Sequence, residues 1–201
     1  MSLDKYGTGQ DPYCYPNTHT LKNRLALSDE QELADVEREL TTIAASEISF
    51  TLPPYDLLYL QNIHRQLFRD IYSWAGKIRT IDLAKGGTRF CNVQRIEPEA
   101  NKLFLSLSSA HWLEDLSRAD LVDAVSEYYG DLNVIHPFRE GNGRAQRLMF
   151  EHLIINTGYQ INWWKVDPAE WIQANINAVA CDYRALSKVF DQCIGDEIPA
   201  L

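Results

Sequence analysis

The sequence predicts an all-α, mainly helical fold carrying one small β-hairpin. Apolar residues recur at three- and four-residue spacing along most of the chain, and several of those stretches open on a capping residue. Strand-like alternation is confined to one segment, about 78–93. At 201 residues and 45% apolar the chain can bury one substantial core, and no Pro/Gly/Ser-rich linker divides it, so a single domain over 1–201 is expected.

The first helix is expected over about 29–48, where Ser28 and Gln31 read as a capping box and Leu33, Val36, Leu40 and Ile43 form a stripe. The second carries Leu57, Leu60, Ile63, Leu67, Ile71 and Trp74, starting after Pro53-Pro54 and stopping at Gly76. A third begins at Glu97 with Leu103, Leu107 and Ala110. Ser117 with Asp120 caps the next, which runs through Leu121, Ala124, Val125 and Tyr128. Pro137 biases His136 away from helical angles and so ends it. A central helix over 143–157 stops before Gly158. Asp167-Pro168-Ala169-Glu170 then supplies an N-cap, a first-turn proline and an acidic third position for a helix through Trp171 and Ile176, and Tyr183 to Ile194 forms the last.

Between these helices Ile78-Arg79-Thr80-Ile81-Asp82-Leu83 alternates, and Gly86-Gly87 offers a turn before Arg89-Phe90-Cys91. The segment is an ordinary edge hairpin, or a flap whose exposed strand edge registers an extended peptide through main-chain hydrogen bonds. Pattern alone leaves both open.

Charge and cysteine usage exclude several classes. Nineteen Lys and Arg against 28 Asp and Glu give a net charge of −9, which does not indicate a general affinity for nucleic acid or anionic membranes and suits protein targets or basic partners better. Cys14, Cys91, Cys181 and Cys193 form no C-x-x-C pair and no zinc spacing, and the polar N-terminal stretch lacks a secretory apolar region. A reduced, cytoplasmic setting is therefore expected. No apolar run approaches 18 residues.

The chemistry concentrates in His136-Pro-Phe-Arg-Glu-Gly-Asn-Gly-Arg-Ala-Gln-Arg147. Gly141-Asn142-Gly143 forms a turn that opens a helix, and free amides at such an N-terminus, backed by the macrodipole, bind anions. Arg144 and Arg147, three apart, reach the same ligand. Glu140 beside this positive focus suits a phosphate only with a cation between them, and Mg²⁺ commonly binds through one or two carboxylates plus phosphate oxygens. His136 is the natural general base. Each part also has a plainer role: a loop histidine, a solvated arginine pair, an ordinary turn.

The string resembles the Fic-domain signature His-x-Phe-x-(Asp/Glu)-Gly-Asn-Gly-Arg-x-x-Arg, matched at His136, Phe138, Glu140, Gly141, Asn142, Gly143, Arg144 and Arg147. Ile63 to Gly76 resembles the helix before the family's flap, and Lys85-Gly86-Gly87-Thr88-Arg89-Phe90 resembles the flap. The resemblance covers about 52–193, with the flap at about 78–93 and the active loop and helix at 136–157. Asp4-Lys5-Tyr6-Gly7 and Asp11-Pro12-Tyr13 are similar to short bacterial Fic proteins of toxin–antitoxin pairs.

The resemblance implies a Fic fold, a helical bundle with a hairpin flap, that transfers AMP from ATP to a Ser, Thr or Tyr hydroxyl of a target protein and releases pyrophosphate. His136 would be the base and Glu140 would hold Mg²⁺. Asn142 and the amides of Gly141 to Gly143 would cradle the α- and β-phosphates, Arg144 would support the phosphate chain, and Arg147 would hold the γ-phosphate. Phe138 would be a buried pin for the loop. Thr88, Arg89 and Phe90 would lie near the incoming hydroxyl. Gly143, where related Doc-type kinases carry lysine, favours nucleotidyl transfer. Gly141 separates the chain from phosphocholine-transferring relatives, which carry alanine there. The resemblance to short toxin-like relatives implies that the target would be a type II topoisomerase subunit.

Trp171 and Asn175 suit a flat base with polar edges, or helix packing. His64, His111 and His152 read as structural, and Trp163-Trp164 as a buried or a binding pair. Many Fic proteins carry an inhibitory Ser/Thr-x-x-x-Glu-Gly/Asn helix. Here the nearest approach, Ser28 to Glu32, is followed by Leu33, so a separate small antitoxin offering a glutamate to Arg147 is expected. The alternative function is a catalytically silent Fic-fold protein that binds or regulates.

Overall fold

Seven helices among the described residues build the fold. The computed structural model describes residues 11–85 and 87–199, together with the backbone of Leu3–Asp4. Lys5, Tyr6, Gly7 and Gly86, on which parts of the sequence reading rest, lie outside the described residues.

Helix α1 spans Glu30–Glu47. Its cap is Asp29, whose carboxylate accepts the Glu32 amide at 2.8 Å, in place of the expected Ser28 box. The Ser28 carbonyl is instead taken by the Thr20 hydroxyl at 2.9 Å. The buried face also departs from the expected stripe: Leu33 is buried, but Ile43 is exposed while Glu37 and Thr41 are buried. The site explains that rotation.

Helix α2, Leu57–Phe68, is capped by Asp56 through the Tyr59 amide at 2.7 Å. It ends before the expected Gly76, yet Ile71 and Trp74 in the turns that follow remain buried. Gly76 sits at φ +78°, and a Cβ there would meet the Gln61 carbonyl at 2.9 Å, so only glycine closes this segment against α2. Helices α3, Ile96–Ser109, and α4, Arg118–Ile135, follow, the latter capped by Ser117 as expected. Helix α5, Asn142–Asn156, buries Ala145, Met149, Phe150, Leu153 and Ile154 and packs against both α2 and α4. Helix α6, Pro168–Ala178, opens on the Asp167 cap, which takes the Ala169 and Glu170 amides, and α7, Arg184–Cys193, packs on α4 and α6.

The hairpin is narrower than the alternation suggested. Strands β2, Ala84–Lys85, and β3, Thr88–Arg89, pair antiparallel with Lys85 opposite Thr88, and β1, Leu3–Asp4, adds to the outer side of β2. The strand order is β1-β2-β3, which places β3 last in the sheet. Ile78 to Leu83 is not a strand: the Arg79 amide goes to the Pro137 carbonyl at 2.9 Å, tying the segment to the loop after α4. A second ribbon, β4, Tyr159–Ile161, with β5, Ile194–Glu197, was not expected, and it takes Ile194 out of the last helix.

One buried cluster runs from Cys14 to Ile194 and includes the fully buried Phe138. No disulfide joins the four cysteines. No described helix is long and apolar enough to cross a membrane.

Candidate active site

The loop between α4 and α5 lies at one end of a cleft of about 460 Å³, walled by the flap residues Lys85, Thr88 and Phe90 and by α6. The cleft gathers His136, Glu140, Gly141, Asn142, Gly143, Arg144, Arg147 and Asn175 from the expected set.

His136 ends α4 in a left-handed conformation, φ 49° and ψ 62°. Its Nδ1 lies 3.2 Å from the Asn133 carbonyl, an acceptor only, so Nδ1 carries the proton and Nε2 keeps its lone pair. Phe90 stacks on the ring, centroids 3.8 Å apart. Burial, reinforced by the nearby Arg79 and Lys85 charges and opposed by the Asn133 bond, lowers the imidazole to about 3. The ring is therefore neutral near pH 7.

Arg79, fully buried, donates from Nε to the His136 carbonyl at 2.8 Å and from its guanidinium to the carbonyls of Ile81 and Cys91. It stitches the flap's base to the loop. The sequence signal was present only as one polar position in an alternating stretch.

The turn is held from beneath. His64 accepts the Gly76 amide at Nδ1, 2.8 Å, and so donates from Nε2 to the Glu140 carbonyl at 2.9 Å. Phe68 and Phe138 stack on His64, at 4.6 and 3.9 Å between centroids. Burial lowers this histidine to about 4, which keeps it neutral for that pair of bonds. Gly141 has φ +80°, and a Cβ there would lie 2.2 Å from the Phe68 ring. No such restriction exists at Gly143, whose Cβ position is open.

Asn142 differs from expectation. Its side chain is buried and turned to the loop: Oδ1 accepts the Phe138 amide and Nδ2 donates to the Phe138 carbonyl, both at 2.8 Å. What it offers a ligand is its main-chain amide. No side chain caps α5, so the amides of Asn142, Gly143 and Arg144 have no acceptor among the described residues. Glu140 takes the Gly141 amide on Oε1 at 2.9 Å and leaves Oε2 without a partner among the described residues.

The two signature arginines differ sharply. Arg147 lines the cleft and makes no hydrogen bond or ion pair with the described residues. Arg144 is committed: Nη2 pairs with Glu37, Nη1 donates to Thr41 Oγ1 at 3.2 Å, and its guanidinium carbon sits 4.7 Å over the Phe68 ring. Glu37 also accepts from the Tyr72 hydroxyl, whose pKa burial and that carboxylate push well above the ordinary phenol range. This network is why α1 buries Glu37 and Thr41.

Arg139, between Phe138 and Glu140, forms a buried ion pair with Asp11 at 2.7 Å, so the Asp11-Pro12-Tyr13 segment braces the active loop. Tyr13 reaches the flap's base, its hydroxyl accepting the Thr80 amide at 3.1 Å.

On the flap, Thr88 and Phe90 line the cleft, but Arg89 is exposed and outside the lining. Successive strand side chains face opposite ways, and Lys85, opposite Thr88, takes the expected place. Phe90 is buried against His136 rather than presented to a hydroxyl. At the far wall Trp171 packs edge-on to Tyr129 and Phe190 while still lining the cleft. Asn175 donates to the Trp171 carbonyl at 2.8 Å.

A model of the Fic/DOC family matches residues 54–154. The Probable protein adenylyltransferase Fic of Escherichia coli K12 is 39% identical over 193 residues, 96% of each chain. A similarly named protein of Sinorhizobium fredii is 36% identical over 91% of this chain and 95% of its own. Among solved structures, the N-terminal Fic domain of a VirB-translocated Bep effector of Bartonella quintana with bound ADP superposes with a TM-score of 0.86 at 28% identity, covering 92% of this chain and 95% of that one. The BepC protein of Bartonella tribocorum with bound AMPPNP gives 0.85 at 25% identity, covering 92% and 97%.

Proposed function

The chain belongs to the Fic/DOC family and is an enzyme, a protein adenylyltransferase; we propose that it moves AMP from ATP to a Ser, Thr or Tyr hydroxyl of a target protein at the mouth of α5. The observation that carries this reading is the neutral His136, its Nε2 unprotonated, in one cleft with uncapped helix amides and an arginine that has no partner among the described residues.

In the proposed reaction His136 Nε2 takes the proton of the target hydroxyl as its oxygen attacks the α-phosphorus. The bond from that phosphorus to the α,β-bridging oxygen breaks, and pyrophosphate leaves. The amides of Asn142, Gly143 and Arg144 face the phosphates with the positive end of the α5 dipole. Arg147, without a hydrogen-bond or ion-pair partner among the described residues, meets the γ-phosphate. Positioning and charge stabilisation carry most of the rate, as expected for transfer at phosphorus.

Glu140 fits Mg²⁺. A half-exposed carboxylate with one oxygen uncommitted among the described residues suits an ion that takes one or two protein carboxylates and completes its shell with phosphate oxygens and water. When bound, the ion would neutralise phosphate charge. The flap would register the target segment by main-chain bonds, with Lys85 and Thr88 facing the cleft. Trp171 and Asn175 would flank the base.

The same arrangement supports a proposal of control by a small antitoxin. Arg147 lacks an internal carboxylate partner among the described residues, so a glutamate supplied in trans could occupy it and exclude the γ-phosphate. Co-purification with the product of a small adjacent reading frame tests this. Transfer should be suppressed by the wild-type partner and restored when its glutamate is removed. Activity already blocked by this chain's own terminal segment would contradict it. For the transfer itself, mass spectrometry of a lysate incubated with enzyme and ATP should find AMP on hydroxyl side chains with wild type and not with His136→Ala.

A further inference from the structure

Glu37 is a carboxylate buried on a helix face where packing alone calls for an apolar side chain. Burying such a charge is costly unless it is paired and hydrogen-bonded. Here Arg144 supplies the charge and Tyr72 the hydrogen bond.

We propose that Glu37 is a positioning residue for nucleotide transfer, locking the Arg144 guanidinium in the orientation from which it supports the phosphate chain. The inference rests on the nucleotide-binding reading of the cleft. Glu140 Oε1 lies 3.8 Å from Arg144 Nη2, and three further contacts define the lock. Glu37 holds Nη2, Thr41 holds Nη1 at 3.2 Å, and the Phe68 ring lies beneath the plane at 4.7 Å. The Nε–H is left without an acceptor among the described residues, on a side chain that lines the cleft. A donor fixed in advance spends no conformational entropy when the phosphate arrives.

The lock also reaches the turn. The ring under Arg144 is the one that fills the space beside Gly141 and stacks on His64, which holds the Glu140 carbonyl. Displacing the guanidinium therefore loosens the support of the phosphate-facing amides. Glu37 has a second effect, lowering the repulsion between Arg144 and Arg147, one turn apart in the same cleft.

The opposing reading is that Glu37 competes with phosphate for Arg144 and acts as a brake. One feature argues against it. Tyr72 fixes the carboxylate independently of Arg144, so Glu37 acts together with Thr41 and Phe68 as a fixed part of the Arg144 seat and not as a movable competitor. The pair is part of the framework.

The test uses the full chain and AMPPNP as probe. Glu37→Gln keeps shape and removes charge. It should weaken AMPPNP binding about tenfold, the size expected for losing one charge-assisted hydrogen bond. In an Arg144→Ala background the same change should add little. Tyr72→Phe, which leaves the carboxylate in place, guards against misfolding and should give a smaller loss with the same non-additivity. Side-chain ¹⁵N NMR adds a readout that general loosening does not mimic. The Arg144 guanidinium should exchange slowly in wild type and rapidly in Glu37→Gln, with melting temperature nearly unchanged. Tighter AMPPNP binding or faster transfer in Glu37→Gln, or independent multiplying losses in the double variant, would overturn the proposal. Absence of AMP transfer by wild type would sink the transfer reading alone, since binding and NMR still decide the role of Glu37.

Discussion

The Phe90 ring lies flat on the His136 imidazole, centroids 3.8 Å apart and planes 12° from parallel. With Nδ1 tied to the Asn133 carbonyl, the stack leaves the ring one orientation, so the unprotonated Nε2 is fixed by two residues, neither of which reacts. Phe90→Ala should cut turnover by about tenfold while leaving ATP affinity nearly unchanged, because small misplacements of a base are costly. Single-turnover kinetics beside nucleotide titration checks this; a loss confined to affinity would assign Phe90 to the nucleotide instead.

His136 also sets the pH behaviour. Its folded pKa, near 3, lies below the unfolded value of about 6.5, so the unfolded chain binds more protons between the two. The stability it contributes is therefore complete above about pH 6.5 and is lost as pH falls toward 3. His64, lowered to about 4, acts in the same direction. Melting temperature should drop from about pH 7 to pH 5 while the rate of the chemical step stays level over that range. An acid limb in the rate near pH 6.5 would show that the base titrates normally.

The two glycines of the turn should respond oppositely. Gly141→Ala meets a positive φ and the Phe68 ring at 2.2 Å, and should cost about 2–4 kcal/mol. Gly143→Ala meets nothing and should be neutral or slightly stabilising. Thermal unfolding of both variants decides it. Gly143→Lys should fold but lower AMP transfer by crowding the cradle.

Asn142 and Arg147 separate structure from ligand binding. Asn142→Ala strands the Phe138 amide and carbonyl in the interior and should destabilise by about 2–4 kcal/mol. Arg147→Ala breaks no bond to a described residue, so stability should hold while ATP binds more weakly. Denaturation and nucleotide titration on the same pair of proteins read the contrast.

Glu140→Ala should raise the Mg²⁺ concentration needed for transfer and depress its maximum, since triphosphate charge would then be less offset. A magnesium titration superimposable on wild type would remove Glu140 from that role.

Much of this was legible in the sequence because local rules and tertiary demands agree. Asp167-Pro168 and Ser117 cap the helices their side chains announce, and the run from His136 to Arg147 forms one loop and helix. Legibility ended where a polar residue answers a distant partner. Glu37 and Thr41 turn α1 away from its apolar stripe to meet Arg144, 107 and 103 positions on. Arg79 is buried for the carbonyls of the active loop, which no periodicity encodes. Asn142 looked like a phosphate ligand because its side-chain partner, Phe138, is a backbone unit. The β4–β5 ribbon joins segments over thirty residues apart through main-chain bonds, and composition carries no record of that pairing.

The central claim is transfer of the α-phosphoryl group with its nucleoside to protein. It is tested most directly by parallel reactions with ATP labelled at the α- or the γ-phosphorus, Mg²⁺ and a bacterial lysate, with His136→Ala as control. Label from the α-position alone should become protein-bound, pyrophosphate should form, and His136→Ala should reduce the signal on the order of 10²–10⁴-fold. Protein labelled from the γ-position, or α-labelling undiminished without His136, would contradict the account.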